Sequence, residues 1–378
     1  FLQDLMHRPS RPTFAEIHLP ALASNLQAIQ HHVSPGTIVM AVVKANAYGH
    51  GMLPVASYLE KHGAKYFGVA FAEEGATLRA AGVRLPIHVF AISVGEQAAL
   101  CVRHRLEPTL ASLDSVEAIR RAAERSRRTV DVHIKVETGM NRIGVRPEEL
   151  TPFLRALGKS RRLRVKGVYT HFATADVPGS AFVGIQLKRF HEFLEKVRQA
   201  GIEPELVHAA NSGAILFRAD AEFSMVRAGI LTYGYSPSFR ENLSLRVRPA
   251  MSLRTSVVQV KRIKAGESVS YGRRFRSRSG TAIATLPIGY GDGLFRSLTS
   301  KASVLLHGVH RPIVGTICMD QCMADCGTLD ISTGDDVVVI GRQRTSTITA
   351  WDVARQAGTI PYEITCAVSA RVPRVYMS

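Results

Sequence analysis

Ile38–Val39–Met40–Ala41–Val42–Val43–Lys44–Ala45 is an apolar run that ends in one lysine. Asn46–Ala47–Tyr48–Gly49–His50–Gly51 then leads into a stretch over residues 52–61. The run reads as a buried strand and the stretch after it as an amphipathic helix. The same alternation continues downstream. Strands are expected at 38–45, 66–70, 87–91, 107–110, 130–137, 164–171, 206–210 and 225–229. Helices are expected at 52–61, 73–81, 96–104, 115–125, 148–157 and 186–200. Strands alternating with helices imply right-handed crossovers and parallel pairing. Eight such units predict a closed (β/α)₈ barrel. An open doubly wound sheet is the alternative, but no GxGxxG follows the first strand. Residues 13–18 form a further strand candidate, placed outside the barrel and in a second domain.

The pattern changes after Leu243. Short extended segments are expected at 247–261, 268–271, 281–286, 302–306, 310–317, 322–325 and 336–340, separated by turn signals such as Ala265–Gly266 and His307–Gly308. Only residues 350–357 read as a clear helix there. The division expected is an N-terminal extension at 1–12, the barrel at 13–243 and a mainly β domain at 244–378.

The chain has 378 residues, enough for one large domain or two, and its 46% apolar content excludes a disordered chain. Five cysteines are not a disulfide framework and point to a reducing compartment. No apolar run approaches the length of a membrane span. The first ten residues carry Asp4, His7 and Arg8 without a hydrophobic segment, so no secretory signal is expected; the missing initiator Met suggests that something was removed from the front. The net charge of +17 is densest at 261–278. Without a nucleic-acid motif it reads as a basic solvated surface that attracts anions. Cys318, Cys322 and Cys326 have ligand-like spacing but no nearby His, so no metal is expected and buried free thiols are.

In a (β/α)₈ barrel the chemistry lies at the C-terminal ends of the strands. Lys44 closes the first expected strand and Lys135 lies late in the fifth, with Arg142 in the loop beyond. His171 ends the sixth, Asn211 and Ser212 follow the seventh, and Arg227 lies in the eighth with Gly229 after it. These groups, distant in sequence, are expected to ring one mouth. Burying an unpaired ammonium is costly. Lys44 therefore either escapes into the mouth, pairs with a carboxylate, or has a lowered pKa and forms a Schiff base. Gly49 and Gly51 precede a helix whose free N–H groups favour an anion, and Tyr48 supplies a hydroxyl.

With these residues assembled, the sequence resembles the bacterial alanine racemase family of pyridoxal-phosphate enzymes. The resemblance runs from Thr13 to Pro373 and is most specific at Val43–Lys44–Ala45–Asn46–Ala47–Tyr48–Gly49–His50–Gly51. It implies an N-terminal barrel, a C-terminal β domain, and a cytoplasmic homodimer in which each site is completed by the partner's β domain. Lys44 resembles the lysine that holds pyridoxal phosphate. Tyr271, in Ser270–Tyr271–Gly272–Arg273, resembles a second base lent by the other subunit. Arg227 resembles the arginine facing the pyridine nitrogen, and His171 the histidine linking it to Tyr271. Tyr48, Ser212, Gly229, Ile230 and Tyr362 match the phosphate-binding group, and Asn211 is added to the cofactor set. Arg142 resembles the substrate-carboxylate arginine. Met319 matches a position near the substrate, with Asp320 beside it. Lys135 matches a lysine often carbamylated in the family, and Tyr290 a tyrosine at a narrow entrance. Glu137 stands where the family usually has Asp, and Gly291 where Ala is commoner.

The implied reaction is interconversion of L- and D-alanine for peptidoglycan, with one base on each face of the substrate. Lys44 would take the proton from the D enantiomer and Tyr271 from the L enantiomer. A free phenol ionises near pH ~10, so Tyr271 is expected in a cationic setting. Competing readings are a racemase of serine, lysine or broader range, a decarboxylase of the same fold, and a non-enzymatic cofactor-binding protein.

Overall fold

The computed structural model describes residues 9–239 and 245–378. The chain divides into two compact units. One comprises Ala21–Ala47 and Met52–Arg248; the other comprises the residues up to Pro20, Tyr48–Gly51 and Pro249–Ser378. The boundary expected at 243/244 and most of the expected 1–12 extension lie outside the described residues.

The first unit is a closed barrel of eight parallel strands in sequential order. They are β1 (Ile38–Val42), β2 (Tyr66–Val69), β3 (Ile87–Ile92), β4 (Glu107–Leu110), β5 (Val130–Lys135), β6 (Leu163–Tyr169), β7 (Leu206–His208) and β8 (Met225–Ala228). The barrel closes where Ile38 pairs with Met225 and Ala41 with Ala228. Strands covered on both faces favour β-branched runs, and Val39, Val69, Val89, Val132 and Ile134 are each at most 2% exposed. Helices cover the outside. Leu113–Arg125 starts where the Ser112 hydroxyl accepts from the Ser115 N–H, and it buries Val116, Ile119 and Ala123. Helix Leu19–His32 ahead of β1 was not expected from the sequence, nor was Ser212–Phe217 after β7.

Two expected strand ends are corrected. β1 stops at Val42, so Lys44 starts a turn rather than closing a strand. Ala45, Asn46, Ala47 and Tyr48 all lie at φ between 51° and 55°. Left-handed backbone is unfavourable for residues with a Cβ, by about 1–2 kcal/mol each, so the turn needs support. Ala45 N–H donates to Glu74 Oε1 at 2.7 Å, and Met52 N–H donates to Asn46 Oδ1 at 2.8 Å. That second bond also occupies one of the helix N–H groups expected to be free for an anion. β6 ends at Tyr169, leaving His171 two residues beyond it.

The second unit is built on a ten-stranded sheet. One end of it runs in the order Ser303–Leu306, Asp336–Gln343, Met251–Ser256, Phe14–His18 and, at the edge, Arg374–Met377. Phe14–His18 pairs antiparallel with Met251–Ser256 and parallel with Arg374–Met377. The extended stretch expected over 247–261 is two strands, Met251–Ser256 and Gln259–Ile263. A second helix, Pro361–Ala367, follows Ala350–Ala357 and corrects the expectation of one. No helix among the described residues is long and apolar enough to cross a membrane.

Candidate active site

Each polar residue expected at the barrel mouth is carried by a strand end or the loop after it. Lys135 is the last residue of β5 and is 4% exposed. Burial lowers its pKa, and the positive charges of Arg142 and Arg227 lower it further, to about 7. Lys44 adds to that field, and Glu137 opposes it. His171 is driven well below its usual range by burial, then by Arg227, Lys135, Arg142 and Lys44. Burial and the surrounding positive charge together keep its imidazole neutral.

Arg227 lies in β8 and is 4% exposed. Its Nη1 donates to His208 Nδ1 at 2.9 Å. Its Nη2 donates to Thr170 O and Ala209 O, both at 2.8 Å, and lies 3.2 Å from His171 Nδ1. Among the described residues no carboxylate pairs with it. Burial pulls its pKa down to about 10, so it stays charged at neutral pH. The Tyr169 ring lies 5.4 Å from Arg227 Cζ and 5.6 Å from Lys135 Nζ.

Asn211 caps helix Ser212–Phe217, its Oδ1 accepting from Gly213 and Ala214 N–H. Its side-chain oxygen is therefore committed to the helix. Ser212 Oγ accepts the Gly229 N–H at 3.0 Å, which leaves the hydroxyl proton for another acceptor. Gly229 leads into the tight turn Ile230–Tyr233, and both Gly229 and Ile230 are buried.

The remaining expected residues belong to the β unit. Tyr48 is buried, its ring centroid 6.0 Å from that of Tyr362. Burial raises the Tyr48 phenol well above its usual range, so it remains a donor. Tyr271 sits in the turn between Ser268–Val269 and Phe275–Arg276, and 74% of it is exposed. That turn is anchored: Ser270 Oγ donates to Thr316 O at 2.6 Å, and Thr316 Oγ1 donates to Tyr271 O at 2.8 Å. Tyr290 N–H donates to Cys318 O and Gly291 N–H to Met319 O, so the Tyr290 and Met319 loops are braced together. Arg371 joins them, donating to Asp292 at 2.8 Å and Asp320 at 2.5 Å. Gly291 is tolerated for a local reason: a Cβ there would meet Arg371 Nη1 at 3.0 Å and Met319 O at 3.1 Å. Met319 and Tyr290 are largely exposed.

A mouth with Lys44, Lys135, Arg142 and Arg227, neutral imidazoles and a serine hydroxyl suits a ligand that brings anionic oxygens and an acceptor nitrogen. Two family models match the chain: "Alanine racemase, N-terminal domain" over residues 17–237, and "Alanine racemase, C-terminal domain" over 250–376. The chain belongs to the alanine racemase family. It is 40% identical over 376 residues to the alanine racemase of Clostridium novyi, covering 98% of this chain and 97% of that one. The Bacillus anthracis alanine racemase with bound L-Ala-P superposes with a TM-score of 0.94 at 37% identity, covering 98% of this chain and 96% of that chain. The Bartonella henselae alanine racemase with covalently bound pyridoxal phosphate gives 0.88 at 29%, covering 98% of this chain and all of that one.

Membership of the alanine racemase family does not explain everything inside the barrel. His88, Glu107, His133 and His208 are buried below the mouth, and the sequence reading gave none of them a role. The available signal was the polar residue at alternate, inward positions of otherwise apolar strands, as in Val132–His133–Ile134–Lys135.

Proposed function

We propose that this protein interconverts L-alanine and D-alanine with pyridoxal phosphate, supplying D-alanine for peptidoglycan. It works in the cytoplasm as a homodimer with shared sites. The observation that supports this reading best is Arg227: a buried guanidinium held by carbonyls and neutral imidazoles, beside Lys44, Lys135 and Arg142.

The donor set fits the cofactor. Lys44 would hold it covalently. Tyr48, Ser212, Gly229, Ile230 and Tyr362 would hold its phosphate, and Arg227 would face its ring nitrogen, with Asn211 shaping the Ser212 turn. When bound, pyridoxal phosphate delocalises the electron pair left on a substrate carbon that loses its proton. The protein's own task is to place a base on each face of that carbon. Lys44 Nζ takes or returns the proton on one face, and the Tyr271 hydroxyl of the second protomer does so on the other. With 74% of Tyr271 exposed in a single chain, its working environment must come from what covers it. Arg227 never yields its proton at working pH, so it presents only N–H to the group it faces. His171 Nδ1 faces the donor-only guanidinium of Arg227 at 3.2 Å, so its own proton belongs on Nε2 for onward contact with Tyr271. Arg142 grips the substrate carboxylate. Lys135, as its carbamate, balances Arg142. Met319, Asp320 and Tyr290 line the way in.

The test is Lys44→Ala against the parent protein. The parent should show the visible absorbance of the lysine-bound cofactor and should abolish the circular dichroism of L-alanine over time. The variant should do neither. A parent protein that binds the cofactor but leaves L-alanine optically unchanged refutes the assignment. Faster turnover of L-serine or L-lysine would move it to a broader racemase.

A further inference from the structure

A chain of buried side chains runs from Arg227 into the barrel. His208 Nε2 lies 3.0 Å from His133 Nδ1, and His133 Nε2 lies 2.9 Å from Glu107 Oε2. Lys166 Nζ donates to Glu107 Oε1 at 2.6 Å, and the Tyr66 hydroxyl donates to Glu107 Oε2. His133 and His208 are 0% exposed and Glu107 is 6% exposed.

Donor accounting allows one arrangement of protons. Arg227 can only donate, so His208 Nδ1 must be bare. Neutral His208 then carries its proton on Nε2 and gives it to His133 Nδ1, which must also be bare. His133 in turn carries its proton on Nε2 and gives it to Glu107, the one member of this hydrogen-bonded series that is an acceptor alone. Every bond points the same way, from the guanidinium to the carboxylate. The packing is made for this path. A Cβ on Gly167 would meet His133 Nδ1 at 2.2 Å, so the facing strand leaves the ring its space. The Tyr169 ring stacks on His208 at 4.7 Å and 4°, which fixes the imidazole plane.

We propose that Glu107, acting through His133 and His208, is a positioning residue for Arg227: as the anionic acceptor at the far end it holds both imidazoles in the one direction Arg227 can accept, and so fixes the face that Arg227 turns to the reacting group. The inference rests on the reading of Arg227 above. Without the carboxylate the two imidazoles can reverse their protons, and a reversed His208 would set N–H against the guanidinium. Arg227 would then have to shift.

The experiment uses the full-length protein as purified, with ¹⁵N-labelled histidine. Ring-nitrogen spectra should show His208 and His133 each neutral, with a bare Nδ1 and a protonated Nε2. A protonated His208 Nδ1, or a doubly protonated His133, overturns the chain whether or not any variant folds. Glu107→Gln keeps the shape and removes the charge. It should change both histidine signals and lower kcat per cofactor-loaded site about tenfold or more, with alanine KM changed less than about twofold. Gly167→Ala, which displaces His133 without touching a charge, should act in the same sense. Wild-type kcat per loaded site in Glu107→Gln overturns the proposal. Loss of alanine turnover in the parent protein would instead strike the functional reading, because the ring-nitrogen pattern is measured independently of turnover.

Discussion

Lys135 gives the most quantitative prediction. An amine captures CO₂ only when neutral: the nitrogen lone pair bonds to carbon, a proton leaves to solvent, and a carbamate anion remains. With its pKa near 7, about half of Lys135 is neutral at pH 7. A solvent lysine near ~10.5 is neutral to only about 0.03% at that pH. The reactive form is therefore enriched roughly a thousandfold at this one position. The same shift sets a stability cost. The folded pKa lies below the unfolded one, so the unfolded chain holds more protons between about pH 7 and ~10.5. This group's penalty is full below pH 7 and fades as pH rises through that window. Its upper bound is roughly 4–5 kcal/mol. Converting the cation to a carbamate among Arg142, Arg227 and Lys44 removes it.

The assay is ¹³C NMR with labelled bicarbonate on the full-length protein. One carbamate signal should appear and should vanish in Lys135→Met. At constant dissolved CO₂, the initial rate of uptake should rise only about twofold from pH 7 to 9 and then level off, because Lys135 is already half neutral at the start. An ordinary lysine would gain about tenfold per pH unit over that range. CO₂-free buffer should raise the alanine KM about tenfold, as Arg142 loses its balancing charge. A rate climbing tenfold per unit, or a signal surviving Lys135→Met, refutes the reasoning.

Four further outcomes are expected. If sites are shared, Lys44→Ala and Tyr271→Phe protomers, each inactive alone, should recover about a quarter of parental activity on equal mixing: half the dimers are mixed and each holds one intact site. No recovery after subunit exchange would argue against Tyr271 serving its neighbour. Burial works to raise the Glu107 pKa, but His133 and Lys166 overcome it and hold the carboxyl down to about 2. Its contribution is present above about pH 4.5 and is lost as pH falls toward 2. That contribution is roughly 3 kcal/mol, so urea midpoints of Glu107→Gln should fall less steeply than the parent's across that window. Gly289→Ala puts a Cβ 2.2 Å from Cys318 O and 2.4 Å from Met319 O; it should destabilise by about 2 kcal/mol or more in thermal melts. Gly291→Ala, with only Arg371 and Met319 O to ease aside, should stay within about 1 kcal/mol.

The barrel was legible because its strands are short β-branched runs separated by helices with clear apolar faces, and Met52–Lys61 fell on its expected bounds. Glu107–Leu110 did so as well. The misses have physical causes. Ala45–Asn46–Ala47 carries no glycine to announce a left-handed turn, so apolar character alone extended β1 through Lys44. Leu19–His32 follows strand Phe14–His18 without a break, and no cap residue separates them. Pro361–Ala367 is too short for a periodic signal. Tyr271 and Lys44 stand out through a family signature, whereas His133 and Glu107 need the barrel closed before their proximity exists.

Why a barrel should carry imidazoles where aliphatic layers are usual follows from the charge at its mouth. On the proposed reading, Arg227 has to stay buried and charged, yet must not be neutralised by a carboxylate that would take up its donors. A direct Asp or Glu partner would offer two acceptor oxygens to the guanidinium fork and turn it away from the reacting group. Two neutral imidazoles in series avoid that. They take one N–H from Arg227, pass the polarisation on, and end on Glu107, where Lys166 and the Tyr66 hydroxyl hold the anion. On that same reading, the positive charge of Lys44, Lys135 and Arg142 is left for anionic groups: a phosphate, a carboxylate, or the carbamate that neutral Lys135 forms with CO₂. A protein relieved of Glu107 should therefore bind those anions about as well as before, while losing control over which way Arg227 points.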